Sequence, residues 1–196
     1  AAGEFVDSQG LVVNEAAKVL GGNRVRLAGG TLDTGVGGQI SVVATGHIVH
    51  QGVAGNLTQT SGTPITNVKS VSLTSTAGDV TVTGNINANQ SVVLAGAQIS
   101  VLGEAVVKVR NPTDREEALL QVTATGRFFV DESRITQRRA LVESAGTIQL
   151  MADNVLIQGV VHQTKADKRL LINTVGDLWV NGELRSAGNI DLRAGV

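Results

Sequence analysis

The stretch of sequence that decides the fold is Gly146-Thr147-Ile148-Gln149-Leu150, which runs directly into Met151-Ala152-Asp153-Asn154-Val155-Leu156. In its first half, apolar side chains lie two residues apart with polar residues between them, which is the period of a strand buried on one face. In its second half, a small residue and an Asp-Asn turn lead into another short apolar segment. This stretch therefore predicts two short strands joined by a tight turn.

Copies of this unit recur along the chain. The glycine-led strand occurs again at residues 38–42, 78–82, 176–180 and 188–192, and the small-residue turn occurs again at 27–32, 43–48 and 94–99. Equivalent apolar positions are 19 to 23 residues apart, in the pairs Val71 and Val92, Val80 and Ile99, Ile148 and Leu171, and Val155 and Leu178. Recurrence at this spacing predicts a solenoid with about 20 residues per coil.

The recurrence favours parallel pairing, in which each strand pairs with its equivalent in the next coil. Hairpins are not indicated, since Asn181-Gly182 is the only Asn-Gly turn beside a matched strand. We therefore predict an all-β fold: a right-handed parallel β-helix of about 20 residues per coil, with loop excursions and one short helix. Residues 1–196 are expected to form a single β-helical segment of a larger protein, because the pattern is cut at both ends.

The composition agrees with a narrow, regular interior. Hydrophobic residues make up 42% of the chain but aromatic residues only 2%, so the core is expected to consist of Val, Leu, Ile and Ala. The 24 glycines against 2 prolines predict frequent tight turns with positive φ. The absence of cysteine excludes disulfides, thiolate metal sites and a thiol nucleophile.

The charge distribution indicates a solvated surface rather than an electrostatic binding patch. The formal net charge is −1, and residues 108–143 hold seven basic and six acidic side chains close together. With no basic excess, a nucleic-acid partner is not indicated. No apolar run reaches about 18 residues, so no membrane span is expected.

Three stretches interrupt the strand pattern: 53–69, 111–120 and 164–169. The first is rich in Gly, Thr, Ser and Asn, and the third is a small charged loop. In the second, Pro112 and the acids after it favour a short helix that leaves the coil. Loops that leave a scaffold are where recognition is usually located.

The recurring Gly-x-Ile/Val-x-Leu/Val strand followed by Ala-x-x-Ile/Leu resembles the repeats of filamentous haemagglutinin-like exoproteins, the β-helical passengers of two-partner secretion. The resemblance covers most of the chain. It implies a right-handed β-helix, a location that is secreted or on the bacterial cell surface, and adhesion or display. The implied partners are a cell-surface protein or glycan of a host or neighbouring cell, and an outer-membrane transporter during export of the parent protein.

One motif departs from that family. Its secretion domain carries Asn-Pro-Asn motifs, whereas the only Asn-Pro here is Asn111-Pro112-Thr113, within the charged stretch. This segment is therefore assigned to the repeat shaft and not to a secretion domain.

The histidines and glycine-rich turns predict no metal site and no cofactor. His47 and His50 flank the apolar pair Ile48-Val49, and a metal pair is conceivable at this spacing, but no carboxylate lies near them in sequence. Two surface histidines are the favoured interpretation, and His162 stands alone. Gly29-Gly30-Thr31-Leu32-Asp33 has the composition of a calcium-binding repeat but lacks the nine-residue tandem spacing.

A carboxylate cluster is the one route to catalysis that the sequence offers. Enzymes with a β-helical fold that act on polysaccharides use clustered Asp residues, often with Lys or Arg. The candidates here are Asp177, Glu183 and Asp191, with Arg185 and Arg193. Because an Asp that follows a glycine before a strand usually has a turn role, and the others are expected to face solvent, we predict no catalytic residues.

Trp179 is the strongest candidate for a partner contact. If Leu178 and Val180 face inward, Trp179 faces outward, where it could anchor a partner or a sugar ring. The slightly favoured alternative is that it packs under the loop at 165–169. Phe128 and Phe129 are adjacent, so one must face outward in a strand; the predicted partner contacts are Trp179, Phe128, Arg138 and Arg139.

Two functions stay open, and a third would be a spacer that binds nothing. The favoured one is a structural and adhesive shaft segment of a secreted bacterial surface exoprotein, which is not an enzyme and presents loops for cell or host contact. The alternative is a β-helical lyase or glycoside hydrolase that acts on polysaccharides. An enzyme needs three or more ionisable side chains that converge on one face of neighbouring coils.

Overall fold

The structure is a computed structural model that describes residues 4–7, 17–21, 24–28, 31–32, 40–44, 47–52, 57–59, 65–75, 79–110, 117–132 and 138–195. The described residues form β-strands and no helix, so the predicted all-β class is confirmed. None of them forms a helix that is long and apolar enough to cross a membrane.

In chain order the strands are β1 (Glu4–Asp7), β2 (Ala17–Gly21), β3 (Arg24–Ala28), β4 (Thr31–Leu32), β5 (Ile40–Ala44), β6 (His47–Gly52), β7 (Leu57–Gln59), β8 (Ile65–Ser75), β9 (Val80–Val82), β10 (Ile86–Gly96), β11 (Ile99–Val101), β12 (Val106–Val109), β13 (Leu119–Ala124), β14 (Arg127–Val130), β15 (Leu141–Ser144), β16 (Thr147–Ala152), β17 (Asn154–Ile157), β18 (Val160–Gln163), β19 (Arg169–Thr174), β20 (Leu178–Val180), β21 (Glu183–Ser186) and β22 (Asn189–Ala194).

These strands pair in three continuous ladders, and every pairing between them is parallel. Ladder I is β2-β5-β8-β10-β12-β15-β18-β21. Ladder II is β1-β3-β6-β8-β10-β13-β16-β19-β22. Ladder III is β4-β7-β9-β11-β14-β17-β20. From β2 onward the chain visits ladders I, II and III in that fixed order and then returns to ladder I.

The ladders form two sheets because two long strands belong to two ladders at once. Residues 86–88 of β10 pair with β12 in ladder I, and residues 91–96 pair with β13 in ladder II. β8, which is also 11 residues long, joins the same two ladders. Ladders I and II therefore form one 15-stranded sheet and ladder III a separate 7-stranded sheet. Strands of this length were not predicted, because the sequence pattern indicated short strands only.

The predicted register is correct at three of the four pairs. Val71 pairs with Val92, Val80 with Ile99, and Val155 with Leu178. The fourth prediction is wrong, because Ile148 pairs with Leu170 instead of Leu171. Two adjacent leucines fit the apolar pattern equally well, and the structure buries Leu170 completely.

The spacing between paired positions varies because the chain leaves the ladders at loops. Val80 and Ile99 are 19 residues apart, whereas Val106 and Leu141 are 35 residues apart. The wider spacing spans residues 111–116 and 133–137, which lie outside the described residues. The predicted short helix falls mostly on 111–116, and Glu117 and Ala118 after it are not helical.

The other two predicted interruptions have different outcomes. The stretch 53–69 contains β7 and the start of β8, so the prediction of a break there is wrong for those strands. Polar Thr, Gln and Asn at alternate positions are compatible with a strand whose outer face meets solvent. Residues 164–168 do form a loop between β18 and β19, as predicted.

The core is built from the inward positions of all three ladders, which form more than one buried row in each ladder. In ladder III one of these inward rows includes Val80, Ile99, Phe128 and Val155, each at most 1% exposed. Buried and partly exposed residues alternate along β13, β14, β16 and β17, as expected for a pleated strand with one face in the core. Most buried positions carry Val, Leu, Ile or Ala, as predicted, and Phe128 is the largest fully buried side chain.

Polar side chains that are buried or partly buried lie where strands end, and their hydrogen bonds link neighbouring strands. Ser144, Gln163 and Ser186 pair in register at the ends of β15, β18 and β21. Gln163 Oε1 accepts from Ser186 Oγ at 2.8 Å, and Gln163 Nε2 donates to the Lys165 carbonyl at 2.8 Å. No buried side-chain polar atom of the described residues lacks a hydrogen-bond partner. The buried polar side chains at these strand ends are therefore compatible with a dry interior.

Several of the described glycines permit close approach between neighbouring segments of the chain and have no positive φ. Among the described glycines only Gly103 and Gly195 have positive φ, so the prediction of frequent positive-φ turns is wrong for this part of the chain. A Cβ on Gly146 would lie 1.8 Å from the carbonyl oxygen of Ala118, and a Cβ on Gly182 would lie 2.0 Å from that of Gly159. These positions accept no side chain because a neighbouring strand or turn stacks directly against them.

Candidate functional site

The outer face of ladder III carries a row of apolar side chains in register. Phe129 in β14 pairs with Leu156 in β17, and Leu156 pairs with Trp179 in β20. Their chain neighbours Phe128 and Val155 point into the core, so these three positions lie on the opposite, outer face. Paired strands are about 4.8 Å apart, so consecutive side chains of the row are close enough to form one continuous surface. We call Phe129, Leu156 and Trp179 the apolar row.

Trp179 is the most exposed member of the row. It is 60% exposed, so the interpretation that it packs under the loop at 165–169 is wrong. A shallow depression of about 160 Å³ lies beside its ring and is lined by Asn154, Val155, Leu156, Asp177 and Trp179. An exposed indole next to a depression with amide and carboxylate groups can contact a ligand through both its ring face and the polar rim.

The prediction that the Phe128 side chain contacts a partner is wrong. Phe128 is 0% exposed, because its position in β14 points into the core. The outward member of the pair is Phe129, which is partly exposed. The guanidinium carbon of Arg127 lies 5.6 Å from the centre of the Phe129 ring, a cation–π distance. The prediction that one of the two rings must face outward is therefore confirmed, with Phe129 as that ring.

Polar residues border the apolar row at the start of the strands. Arg127 begins β14, Asn154 begins β17 and Asp177 directly precedes β20, and Arg127 pairs with Asn154. Asn154 Oδ1 accepts a hydrogen bond from the backbone N–H of Asp177 at 3.0 Å, which orients the amide beside the depression. The border thus carries one cation, one amide and one carboxylate, and its formal charge sums to zero.

Arg138 and Arg139 both form ion pairs on the surface. Arg138 Nη1 lies 2.9 Å from Glu104 Oε2, while Arg139 Nε lies 3.2 Å from Glu132 Oε1 and its Nη1 lies 2.9 Å from Glu183 Oε1. These contacts agree with the prediction that the charged stretch is an ion-paired surface. The predicted role of the two arginines in partner binding stays a prediction.

A second set of polar residues forms a row on ladder I. Lys108 pairs with Glu143, Glu143 with His162, and His162 with Arg185. The Lys108 ammonium forms an ion pair with Glu143 Oε1, and His162 Nδ1 lies 3.3 Å from Glu143 Oε2. His162 was predicted to stand alone, which is wrong because its partner lies 19 residues away in sequence and one strand away in the ladder.

Glu143 is the carboxyl of this row, and its pKa is lowered. Partial burial raises its pKa, but the hydrogen bond and charge of Lys108, followed by those of His162, outweigh burial and hold the pKa below the usual value of 4.5. The ionised carboxylate is therefore more favourable in the folded chain than in the unfolded chain. This difference links the stability of ladder I to pH.

Replacing Glu143 with Gln is expected to lower the free energy of unfolding at pH 7 by about 1 kcal/mol, the upper end for surface ion pairs. Because the folded pKa is depressed, the carboxylate contributes fully above the unfolded pKa near 4.5 and loses its contribution as pH falls through the folded pKa. Urea unfolding of both proteins between pH 7 and pH 3 checks this.

The matched control is Glu104→Gln, since Glu104 is more exposed than Glu143 and its ion-pair partner among the described residues, Arg138, is also exposed. It should change stability less than Glu143→Gln at pH 7. A difference between wild type and Glu143→Gln that stays constant down to pH 3 would show that the carboxylate does not contribute through its charge.

The candidate catalytic carboxylates do not come together. Asp177 precedes β20 in ladder III, Glu183 begins β21 in ladder I, and Asp191 lies in β22 in ladder II. Glu183 forms ion pairs with Arg139 and Arg185, and Asp191 Oδ2 lies 3.5 Å from Arg193 Nη2. A general acid and base that act on one bond must lie on the same side of one cleft, which this distribution does not provide.

The described residues contain no group of three or more His, Asp or Glu side chains placed to hold a metal ion. His47 and His50 both lie within β6, where they pair with Ser70 and Leu73, so the prediction that they flank a shorter strand is wrong. The strand begins and ends further out than the apolar pair Ile48-Val49 indicated. The calcium-like composition at 29–33 falls partly outside the described residues.

Comparisons with known proteins give this chain no relative. No family model, no curated protein and no solved structure matches it. The resemblance to filamentous haemagglutinin-like exoproteins therefore stays a prediction from the repeat pattern. The functional assignment has to come from the ladders and from the side chains that they expose.

Proposed function

We propose that this chain is a segment of right-handed parallel β-helix and acts as a structural and adhesive shaft of a secreted bacterial surface exoprotein. The cyclic order of the ladders supports the winding, because a chain that returns to ladders I, II and III in turn adds one coil at each return. Right-handed connection between parallel strands is the general rule for such crossovers. Each coil would lengthen the shaft by about 4.8 Å.

The apolar row is the observation that carries the adhesive part of the proposal. A strand position on the outer face of a sheet normally carries a polar residue, and earlier coils of ladder III follow that rule with Thr81 and Ser100. The later coils place Phe129, Leu156 and Trp179 on the same row. An exposed aromatic side chain of this kind is enriched at binding surfaces and contributes strongly to their affinity.

The enzyme remains the second candidate but has less support. Its carboxylates lie on three different ladders and two of them are occupied in ion pairs with arginines. A shaft needs no such convergence, only a regular stack and an exposed surface. Contact with an outer-membrane transporter would belong to export of the parent protein, as the family resemblance implies.

The proposal is tested by cell binding of the purified chain. The 196-residue protein, labelled with a fluorophore at its N-terminus, is incubated with intact epithelial cells and with intact bacteria, and bound fluorescence is measured. We expect saturable binding to at least one cell type and a strong decrease for Trp179→Ala. The control is Val175→Ala, which removes an apolar side chain that is 65% exposed but lies outside the row.

Two results would count against adhesion. The first is the absence of saturable binding to either cell type. The second is release of reducing ends from a polysaccharide by wild type but not by Glu183→Gln, which would move the assignment to the enzyme.

A further inference from the structure

The apolar row is one side chain wide, which limits what it can bind. Trp179 is 60% exposed and Phe129 and Leu156 are partly exposed. A large aromatic side chain has about 150–250 Å² of surface. With Trp179 largely exposed and the other two side chains partly exposed, the row offers on the order of 250 Å² of apolar surface. A stable protein interface needs about 800 Å² on each partner, so this surface is too small for one. A narrow ligand fits the area better.

The chemistry around the row also restricts the ligand. Polar groups border the ring of Trp179 on the depression side, where Asn154 and Asp177 offer an amide and a carboxylate. The Asp177 carboxylate accepts hydrogen bonds only, and the Asn154 amide can donate through its Nδ2. A ligand that has an apolar face and hydroxyl groups around its edge would satisfy both surfaces. A pyranose ring has this distribution, with C–H groups on its faces and hydroxyls at its rim.

The charge at the row favours a neutral ligand. Arg127 lies over Phe129 at one end and Asp177 lies beside Trp179 at the other, so the row has no excess of either sign. An acidic polysaccharide would meet the Asp177 carboxylate, and like charges that come together in a small site repel each other. Within the part of the chain that the structure describes, no cluster of basic groups lies along the row to offset that repulsion.

The length of the row fits more than one sugar ring. Phe129 and Trp179 are two strands apart in ladder III, which is about 9.6 Å at the ordinary strand spacing. In an extended chain of three linked pyranose rings, the centres of the first and third rings are a comparable distance apart, so a disaccharide does not reach both side chains. A straight glycan that lies along the stacking direction could therefore place one ring on Trp179 and another near Phe129.

We propose that the apolar row of Phe129, Leu156 and Trp179 binds an extended, neutral glycan chain whose pyranose rings stack on Trp179 and Phe129 while Asn154 and Asp177 bond its hydroxyls. This inference rests on the proposed adhesive function and names the ligand of that site. The ligand runs across consecutive strands of ladder III, so binding strength grows with the number of rings until the row is covered.

The test uses the intrinsic fluorescence of the chain, because Trp179 is its single tryptophan. The wild-type protein is titrated with cellohexaose and chitohexaose, which are straight neutral chains, with maltohexaose, which is curved, and with hexagalacturonate, which is straight and acidic. We expect a saturable shift of Trp179 emission to shorter wavelength with a straight neutral chain. We expect weaker responses to the curved and acidic chains and to the corresponding disaccharides.

Three variants locate the contacts. Binding by Trp179→Ala is measured by isothermal titration calorimetry, because this variant has no tryptophan fluorescence. Trp179→Ala should weaken binding of the responding hexasaccharide about tenfold, which corresponds to about 1.4 kcal/mol, because the ring that stacks on one pyranose is removed. Phe129→Ala should weaken the hexasaccharide but leave a disaccharide almost unchanged. Val175→Ala, whose side chain is exposed outside the row, should bind as the wild type does.

Three outcomes would overturn the inference. A lack of response to every oligosaccharide would show that the row does not bind glycans, and tighter binding of hexagalacturonate would contradict a neutral ligand. A shift of Trp179 emission with protein concentration alone would show that a second copy covers the row. If cell binding depends on Trp179 while no glycan binds, the adhesive function stands and the glycan inference fails; if cell binding is also absent, both fail.

Discussion

Replacing Phe128 with alanine is expected to lower the free energy of unfolding by about 3–5 kcal/mol, the range for loss of a large buried aromatic side chain. Phe128 is completely buried and is the largest fully buried side chain among the described residues. It lies between Ile99 and Val155 in the inward row of ladder III. A cavity at this position would remove contacts to the strands before and after it, and the parallel ladder around it would relax only partly.

Urea unfolding followed by circular dichroism measures the effect, and Phe129→Ala is the matched control. Phe129 has the same side chain in the same strand but points outward and is partly exposed. Its replacement should lower the free energy of unfolding by less than about 1.5 kcal/mol, because only the contact with Arg127 and a partly buried surface are lost. Similar losses of stability in the two variants would contradict the assignment of inward and outward faces in β14.

Replacing Gly146 with alanine is expected to cost about 3 kcal/mol, the upper part of the range for overpacking. A Cβ there would lie 1.8 Å from the carbonyl oxygen and 2.2 Å from the carbonyl carbon of Ala118. That carbonyl accepts a hydrogen bond from the Thr147 backbone N–H at 3.0 Å. The clash is with backbone, so relief requires the turn before β16 to move away from Ala118 and to lose that bond.

Gly126→Ala is the control for this substitution, because its Cβ would lie 3.1 Å from the Ala97 carbonyl oxygen and needs only a small adjustment. Its stability should remain within about 1 kcal/mol of wild type, since alanine also restricts the unfolded chain. Thermal or urea unfolding distinguishes the two. Equal effects in both variants would show that the turn at Gly146 does not stack on Ala118 as described.

The parallel pairing was predictable from the sequence because inward apolar residues must stack on their equivalents. Val80 and Ile99, and Val155 and Leu178, are separated by short turns without insertions, so counting residues finds their register. Counting residues does not find the register where the chain leaves the ladder. Between Val106 and Leu141 the spacing of 35 residues gives no periodic signal. It also fails at Leu170 and Leu171, where hydrophobicity alone does not select the inward residue.

The candidate site was only partly predictable for the same reason. Alternation along β20 correctly places Trp179 on the outer face, but Leu156 was not recognised as its neighbour. The signal was present, because the predicted pair of Val155 and Leu178 also places Leu156 beside Trp179. The choice between Phe128 and Phe129 was available from their neighbours, because apolar Val130 shares the inward face with Phe128 and charged Arg127 shares the outer face with Phe129.

The row of Lys108, Glu143 and His162 illustrates what sequence alone does not show. Its three members come from strands that are separated by up to 35 residues, including residues outside the described part of the chain. The sequence analysis assigned Lys108 and Glu143 to one crowded, ion-paired stretch and predicted that His162 stands alone. The ladder instead places one side chain from each of three neighbouring strands, β12, β15 and β18, in contact.

Pulsed electron paramagnetic resonance tests the stacking of coils most directly, since the chain has no cysteine and accepts pairs of introduced cysteines for spin labels. Asp191 follows Gln121 by three steps, Ser72 by five and Arg26 by seven along ladder II. An open β-helix predicts backbone distances from Asp191 of about 14, 24 and 34 Å to these three positions, at about 4.8 Å per step. Distances that rise and then fall toward Arg26, as in a sheet that curls back on itself, would contradict the shaft.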